Sequence, residues 1–541
     1  MANATRWGGP DHRPTVRDLS DRMPTRTTHR PSDREAHRMS TTTVLTPTSR
    51  VRLGHARVDI TPPVGIYHRM WGAARHDQST GIHRPLLADA IVLGPIGSSG
   101  TDDLVIRIHF DSVGLARTYY DALVAAIHGA TGVPEGRIHL CPSHTHSAGL
   151  LTPDRIPLPG GHLIPGYQAT ARDAIVRACT DAIASIAPAT LTYAEGTSAM
   201  GANRDYPDEA NGIFTCGYNP DAPADQTVTV MRAIEIDSES PLTQSGRGGP
   251  SEAHVNRAGR SGGIPIRLTV VTYAAHPTSL AWENTLLSPD YPGALRETVE
   301  AATEAPCIFM LAPCGDQGPR DNYTGGPAIA DANGRQVGYA ALGILSGMAT
   351  PGTDRTYAGP VVSGATLGTW SQAPVDASRA SRFAGGPGSV PLQRRDVPSP
   401  EAWATELTRH EAERDAADAR GDAIAARNAT ALAERARRWL GRLSELPDDA
   451  TPTTYPMPVS VYRIGDAIWA TCAGEPYAEL LTDLRRRFPG TPILLSPLDG
   501  PMSAGYLLKA ECYGIGLYQE EPSLLGAGCL EALTGAIAAR I

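Results

Sequence analysis

The sequence predicts an α/β protein: a mixed β-sheet core flanked by helices, with an inserted helical hairpin and Gly/Pro-rich surface loops. Three observations carry this expectation. Of the 541 residues, 41% are hydrophobic and 19% charged, globular proportions with room for a large buried core. From Val58 onward, short apolar β-branched runs alternate with longer stretches of helical periodicity. Five of the runs end in a polar cluster, and in α/β sheets the ligand site lies beyond the carboxyl ends of the strands.

Residues 1–50 are rich in Arg, His, Asp, Thr and Pro and have almost no periodic apolar residues, so a disordered basic tail is expected there. Met39 offers an alternative start just before the first structured-looking stretch. Residues 51–541 are expected to form a single catalytic domain. Its strands are predicted at 104–110, 137–141, 190–194, 228–236, 266–275, 307–311, 467–472 and 492–495, and its helices at 117–130, 170–186, 293–303, 477–488 and 523–541. Two aperiodic stretches, the Gly/Ser/Arg-rich 237–263 and the Gly/Ala/Ser/Pro-rich 351–400, read as surface loop insertions. Between them and the C-terminal part, 401–446 is dominated by Ala, Arg, Glu, Asp and Leu without an internal proline, which suits a helical hairpin broken near Gly421. Its apolar face is thin, as in a solvated hairpin lying on the main body.

A net charge of -9 gives no broad positive field, which argues against nucleic acid as a partner. Lys509 is the only lysine among 48 basic residues, a bias of genome composition rather than a binding patch. Eight cysteines are scattered without a CxxC pair, which fits reduced thiols in a cytoplasm. The sequence holds no apolar run of about 18 residues and no apolar secretory leader, so neither membrane insertion nor export is expected.

The polar clusters that end the predicted strands are Asp111, Ser143-His144-Thr145-His146, His276, Cys314-Gly315-Asp316 and Gly474-Glu475. Alone, the His144-x-His146 pair is weak, because sixteen histidines in 541 positions yield roughly half of one such pair by chance. In an extended segment, however, residues i and i+2 share a face, so both imidazoles can reach one ion or one substrate. His276 beside Pro277 also fits a packed or capping histidine, and Glu475 before Pro476 fits a helix N-cap. Ser279 is not set in a GxSxG elbow, and a role in backbone hydrogen bonding suits it better than that of a nucleophile.

Taken together, these residues resemble the neutral (non-lysosomal) ceramidase family. The matching stretches are RVDITPPVG at 57–65, GIH at 81–83, SHTHSAG at 143–149, NR at 203–204, AHPTSL at 275–280, SPDYPG at 288–293, GD at 315–316, GEP at 474–476, and Tyr506 followed by Tyr518. They occur in the family's order from about Arg57 to Leu530. The resemblance implies a zinc-dependent amide hydrolase acting on an N-acyl amine in lipid metabolism. By residue-for-residue match it makes His144, His276, Glu475 and Tyr506 the metal ligands, and His146, Arg204 and Tyr518 the residues that meet the substrate. Imidazole and carboxylate donors suit Zn²⁺, whereas tyrosine ligates well only as a phenolate. Asp111 and Asp316 are expected either to orient imidazole N–H groups or to act as structural caps. Neither the family's C-terminal immunoglobulin-like domain nor its secretion signal is expected here. Because fold and metal site do not fix the bond cleaved, an ester, a lactone or an acyl transfer fits the same residues. A retired homologue acting as a binding protein is the non-enzymatic alternative, and the retention of all seven matched residues argues against it.

Overall fold

The computed structural model describes residues 42–235, 260–261 and 264–541. Its main sheet is built from β1 (Thr48–Asp59), β2 (Leu87–Gly94), β3 (Val105–Phe110), β4 (Ile138–Pro142), β5 (Ala187–Thr197), β6 (Thr227–Glu235), β7 (Ile264–Tyr273) and β8 (Cys307–Leu311). The order across the sheet is β8-β7-β6-β5-β1-β2-β3-β4. The outermost pairs, β7 with β8 and β3 with β4, are parallel, and the pairs between them are antiparallel. The fold is therefore α/β with a mixed sheet, as the alternating pattern predicts.

Helices α1 (Arg117–Thr131), α2 (Ile164–Ala184), α3 (Tyr291–Thr303) and α4 (Pro327–Gly347) cover one face of this sheet. The alternation of side chains along each strand sends Val271 toward α3 and α4 and its neighbour Val270 to the opposite face. On that opposite face lies a second sheet. Its strands are β9 (Phe383–Gln393), β10 (Thr454–Ile464), β11 (Ala467–Cys472) and β12 (Ile493–Ser496), in that order. The two sheets meet through Leu53, Leu191, Met231, Val270, Ile464, Trp469 and Leu494, all wholly buried. Helices α5 (Glu479–Arg487) and α6 (Cys529–Ala538) close the outer side of the second sheet.

Three expectations are corrected. The first concerns the tail. Thr43–Val44 pairs with the strand Thr353–Ser363, and Thr48 and Ser49 of β1 are fully buried, so residues 43–50 belong to the folded body rather than to a disordered tail. The earlier part of that tail lies outside the described residues. Second, 351–400 is not a loop. It holds the hairpin Thr353–Ser363 with Ala365–Pro374, together with β9. The hairpin is largely exposed on both faces, so backbone pairing without a one-sided core leaves no apolar alternation to read. Third, α4 escapes a periodicity search because glycine occupies its packed face. A Cβ on Gly334 would stand 2.2 Å from the Tyr291 carbonyl oxygen, so the close approach of α3 and α4 requires the missing side chain. The 237–263 insertion lies outside the described residues, apart from Arg260–Ser261, which pairs with the start of β7.

The 401–446 stretch folds as two helices, Pro400–Ala419 and Ala423–Ser444. Ser399 and Asp422 cap them by accepting from the backbone N–H of Ala402 and Ala425, and Gly421 turns the chain between them at φ 73°. The second helix does more than lie in solvent. Glu434 forms a buried bidentate pair with Arg155 at 2.6 and 2.8 Å. Burial raises the pKa of the Glu434 carboxyl, but Arg438 and Arg155 more than offset that and hold it at about 2.

Candidate metal centre

Strands from both sheets deliver the centre. β4 ends at Pro142, and the chain then swings His144 inward with a left-handed backbone, φ 65°, a conformation that non-glycine residues keep only where the surroundings impose it. His146 follows two residues later. His276 lies three residues beyond β7, and Glu475 three residues beyond β11. Glu475–Pro476 pairs in parallel with Tyr506–Leu507, which sets Glu475 directly beside Tyr506. Arg204 is held through its backbone N–H, which donates to the Asp316 carbonyl at 2.9 Å.

The imidazoles of His144, His146 and His276 converge, with one ring nitrogen of each within 4.8 Å of the others, and are placed to hold a metal ion. His144 Nε2 stands 3.3 Å and His276 Nε2 3.1 Å from Glu475 Oε2, and His146 Nε2 stands 3.4 Å from His144 Nε2. Donors that share a tetrahedral ion at zinc-like bond lengths stand about 3.3 Å apart. The tautomers sharpen the fit. His144 Nδ1 faces the Val113 carbonyl at 2.5 Å and His276 Nδ1 the Cys314 carbonyl at 2.9 Å. Carbonyl oxygens only accept, so both Nδ1 atoms carry the hydrogen and both Nε2 atoms turn lone pairs inward. Two such lone pairs against a carboxylate oxygen repel one another unless a cation lies among them.

Burial, helped by the Arg204 charge, lowers the His276 pKa to about 3, so His276 itself carries no second proton at neutral pH. Burial and then His144 pull His146 well below its ordinary value. Burial raises the Glu475 carboxyl, whereas positive charge at the facing His144 and His276 nitrogens lowers it well below the usual range. Burial and the Glu475 charge push Tyr506 well above a free phenol.

Arg204, 3% exposed, donates to the Gly315 carbonyl at 2.7 Å and to the Tyr506 hydroxyl at 3.1 Å, and stands 3.4 Å from His276 Nε2. The Tyr506 ring stacks on His276 at 6.2 Å and meets Tyr518 edge-on at 6.1 Å. Tyr518 is 49% exposed at the cavity mouth. All seven residues singled out from the sequence are therefore neighbours.

Of the alternatives open for Asp111, Asp316 and Ser279, the structure selects one for each. Neither Asp111 nor Asp316 orients an imidazole. Asp111 pairs with Arg296 at 2.7 and 3.1 Å, and the Asp316 carboxylate accepts from the Ala478 backbone N–H at 2.8 Å ahead of α5. Backbone carbonyls do the orienting instead, which no sequence motif reveals. Ser279 is buried, its hydroxyl accepting from Asn333 Nδ2 at 3.0 Å, and its own carbonyl accepts from the Thr324 N–H, so it has no nucleophile's setting.

The centre opens into a cavity of about 610 Å³. One wall is aromatic: Trp71 packs edge-on against Trp282 and Tyr323, and its ring stands 5.2 Å from His146. The helix Ala423–Ser444 also lines the cavity, with Glu434, Arg438 and Arg442. These residues were missed in the sequence because a charged helix face reads the same whether it meets solvent or a cavity. Trp71 had no motif to mark it.

No protein-family model matches the chain, and no curated protein matches it in sequence. Among solved structures it is similar to the neutral ceramidase from Pseudomonas aeruginosa, with TM-score 0.57 and 17% identity over 92% of this chain and 74% of that one. It is equally similar to a ceramidase complexed with C2, with TM-score 0.57 and 16% identity over 92% of this chain and 75% of that one. The fold is thus shared with neutral ceramidases.

Proposed function

We propose that this chain is a zinc-dependent hydrolase that cleaves the amide bond of an N-acyl amine. The supporting observation is the convergence of three imidazoles and one carboxylate at the end of an apolar cavity, on a fold shared with neutral ceramidases. In this reading His144, His276, Glu475 and Tyr506 hold the ion. His144 and His276 suit that role because a carbonyl fixes each Nδ1, the usual support of a ligating histidine. Tyr506 joins them as a phenolate, a form that a neighbouring divalent charge favours. Zinc bound there lowers the pKa of a water toward about 7 and polarises a carbonyl, which is what amide hydrolysis at neutral pH requires.

The remaining residues act on the substrate. His146 differs from the other two histidines in that no carbonyl fixes its Nδ1, which leaves either tautomer open, and its Nε2, which faces the other imidazoles, is the atom to move a proton to the leaving amine. Arg204, a fixed and buried cation, stabilises negative charge on the amide oxygen, with Tyr518 as a second donor. The aromatic wall takes up apolar substrate and excludes water. Metal analysis by mass spectrometry with a panel of N-acyl amines tests the proposal. It expects about one zinc per chain and release of fatty acid, with both lost in His276→Ala. Protein that binds no zinc and cleaves no amide overturns it.

A further inference from the structure

The helix Ala423–Ser444 carries four arginines near the cavity, and three of them face a carboxylate. Arg435 approaches Glu521 at 3.7 Å, Arg437 pairs with Glu411 at 2.7 Å, and Arg438 pairs with Glu434 at 2.9 Å. Arg442 is the exception. Among the described residues no carboxylate lies within 4.0 Å of it, and its buried Nε has no hydrogen-bond partner. The nearest acids are committed elsewhere: Glu521 accepts from Trp439 Nε1 at 2.9 Å, and Glu475 faces His144 and His276. The guanidinium lies over the Trp439 ring, 5.0 Å from its centroid, in the wall of the cavity that holds the histidine centre.

A partly buried guanidinium without a counter-charge costs free energy, and such a group is stabilised most by an anion that takes both prongs of its fork. Burial pulls Arg442 below its ordinary pKa, in keeping with a charge that awaits its partner. In the lining of the same cavity, Trp71, Trp282 and Met70 offer an apolar surface that suits an acyl chain. A neutral lipid amide would satisfy that surface and leave Arg442 unpaired.

We infer that Arg442 recognises a carboxylate on the amine half of the substrate, so that the preferred substrates are N-acyl amino acids rather than neutral N-acyl amines. The inference rests on the amide-hydrolase reading for the bond that is cleaved. The carboxylate would accept two charge-assisted hydrogen bonds from the guanidinium, while the acyl chain lies along the aromatic wall and brings the amide to the histidines.

The test compares N-dodecanoylglycine with the neutral N-dodecanoylethanolamine on wild type, Arg442→Gln and Arg442→Lys. It reads kcat/KM for the amides and, by calorimetry, Kd for the uncleavable ketomethylene isosteres of both. Wild type is expected to favour the acid by about ten- to hundred-fold in both readouts, the size of a lost charged hydrogen bond. Arg442→Gln should abolish the preference, and Arg442→Lys should keep part of it. Equal handling of acid and neutral compound by wild type overturns the inference while leaving amide hydrolysis intact. So does a preference that survives in Arg442→Gln, which would assign the carboxylate to the histidine centre. If Arg442→Gln does not fold, wild type and Arg442→Lys decide by the same comparison. An Arg442-dependent binding preference without cleavage of either amide would support the anion site and overturn the hydrolase reading.

Discussion

His144 and His146 are two residues apart, yet their second nitrogens have opposite fates. His144 Nδ1 is tied to the Val113 carbonyl, whereas His146 Nδ1 is buried and unpartnered. A ring held from behind suits metal ligation, and a ring free at that atom suits proton transfer. The two substitutions should therefore separate. His144→Ala is expected to lose the metal. His146→Ala is expected to keep zinc while kcat falls by about 10²- to 10⁴-fold, the usual size of a lost acid–base contribution. Zinc content alongside steady-state kinetics checks both. If His146→Ala loses zinc and His144→Ala keeps it, the two roles are exchanged. The left-handed backbone of His144, a conformation that costs on the order of 1–3 kcal/mol in a non-glycine residue, is retained because the Val113 contact and the packed turn around it fix the ring.

At the scale of elements, a buried ion pair helps to fasten the helix Ala423–Ser444 to the body. Arg155 is 1% exposed and without Glu434 keeps only Asp154, at 3.1 Å, as a counter-charge, so removing Glu434 costs less than a fully stranded buried charge, which costs about 3–5 kcal/mol. Glu434→Gln should loosen this wall of the cavity. The pH dependence has a definite sign. Folding lowers the Glu434 pKa from 4.5 to about 2, so its contribution is fully present above pH 4.5 and is lost as pH falls through the window from 4.5 to 2. The shift corresponds to about 3 kcal/mol. Urea unfolding of wild type and Glu434→Gln should show a large stability gap at pH 7 that closes as the pH falls toward 3. A gap independent of pH would mean that the variant acts by packing alone. Asp290, the N-cap of α3, has the opposite sign: burial raises its carboxyl to about 6, so its contribution declines as pH rises from about 4 to 6.

At the scale of the whole molecule, the centre joins distant parts of the chain: His144 after the main sheet's β4, His276 after β7, and Glu475 and Tyr506 from the region of the second sheet. An ion held among them would link the two sheets at one end, and binding only to the folded state raises stability by mass action, about 4 kcal/mol at a thousand times the Kd. Chelation should lower the melting temperature by several degrees, with recovery on adding zinc back. A melting curve that responds to neither treatment would argue against an ion at this site. Among the described residues no helix is long and apolar enough to cross a membrane, and all eight cysteines are unpaired.

The sequence by itself determined the α/β class, most of the inner strands and the identity of the residues at the centre. Those strands are buried on both faces and write their apolar runs directly into the chain, and the residues of the centre fall in short motifs that keep their order. Only the tertiary structure decided which groups orient the imidazoles, because backbone carbonyls such as that of Val113 leave no mark in residue identity. It alone revealed α4, whose packed face includes Gly334 and Gly338. It also separated Arg442 from its paired neighbours, since charge on a helix is visible in sequence but the carboxylate that neutralises it, or fails to, comes from a remote segment brought near by folding.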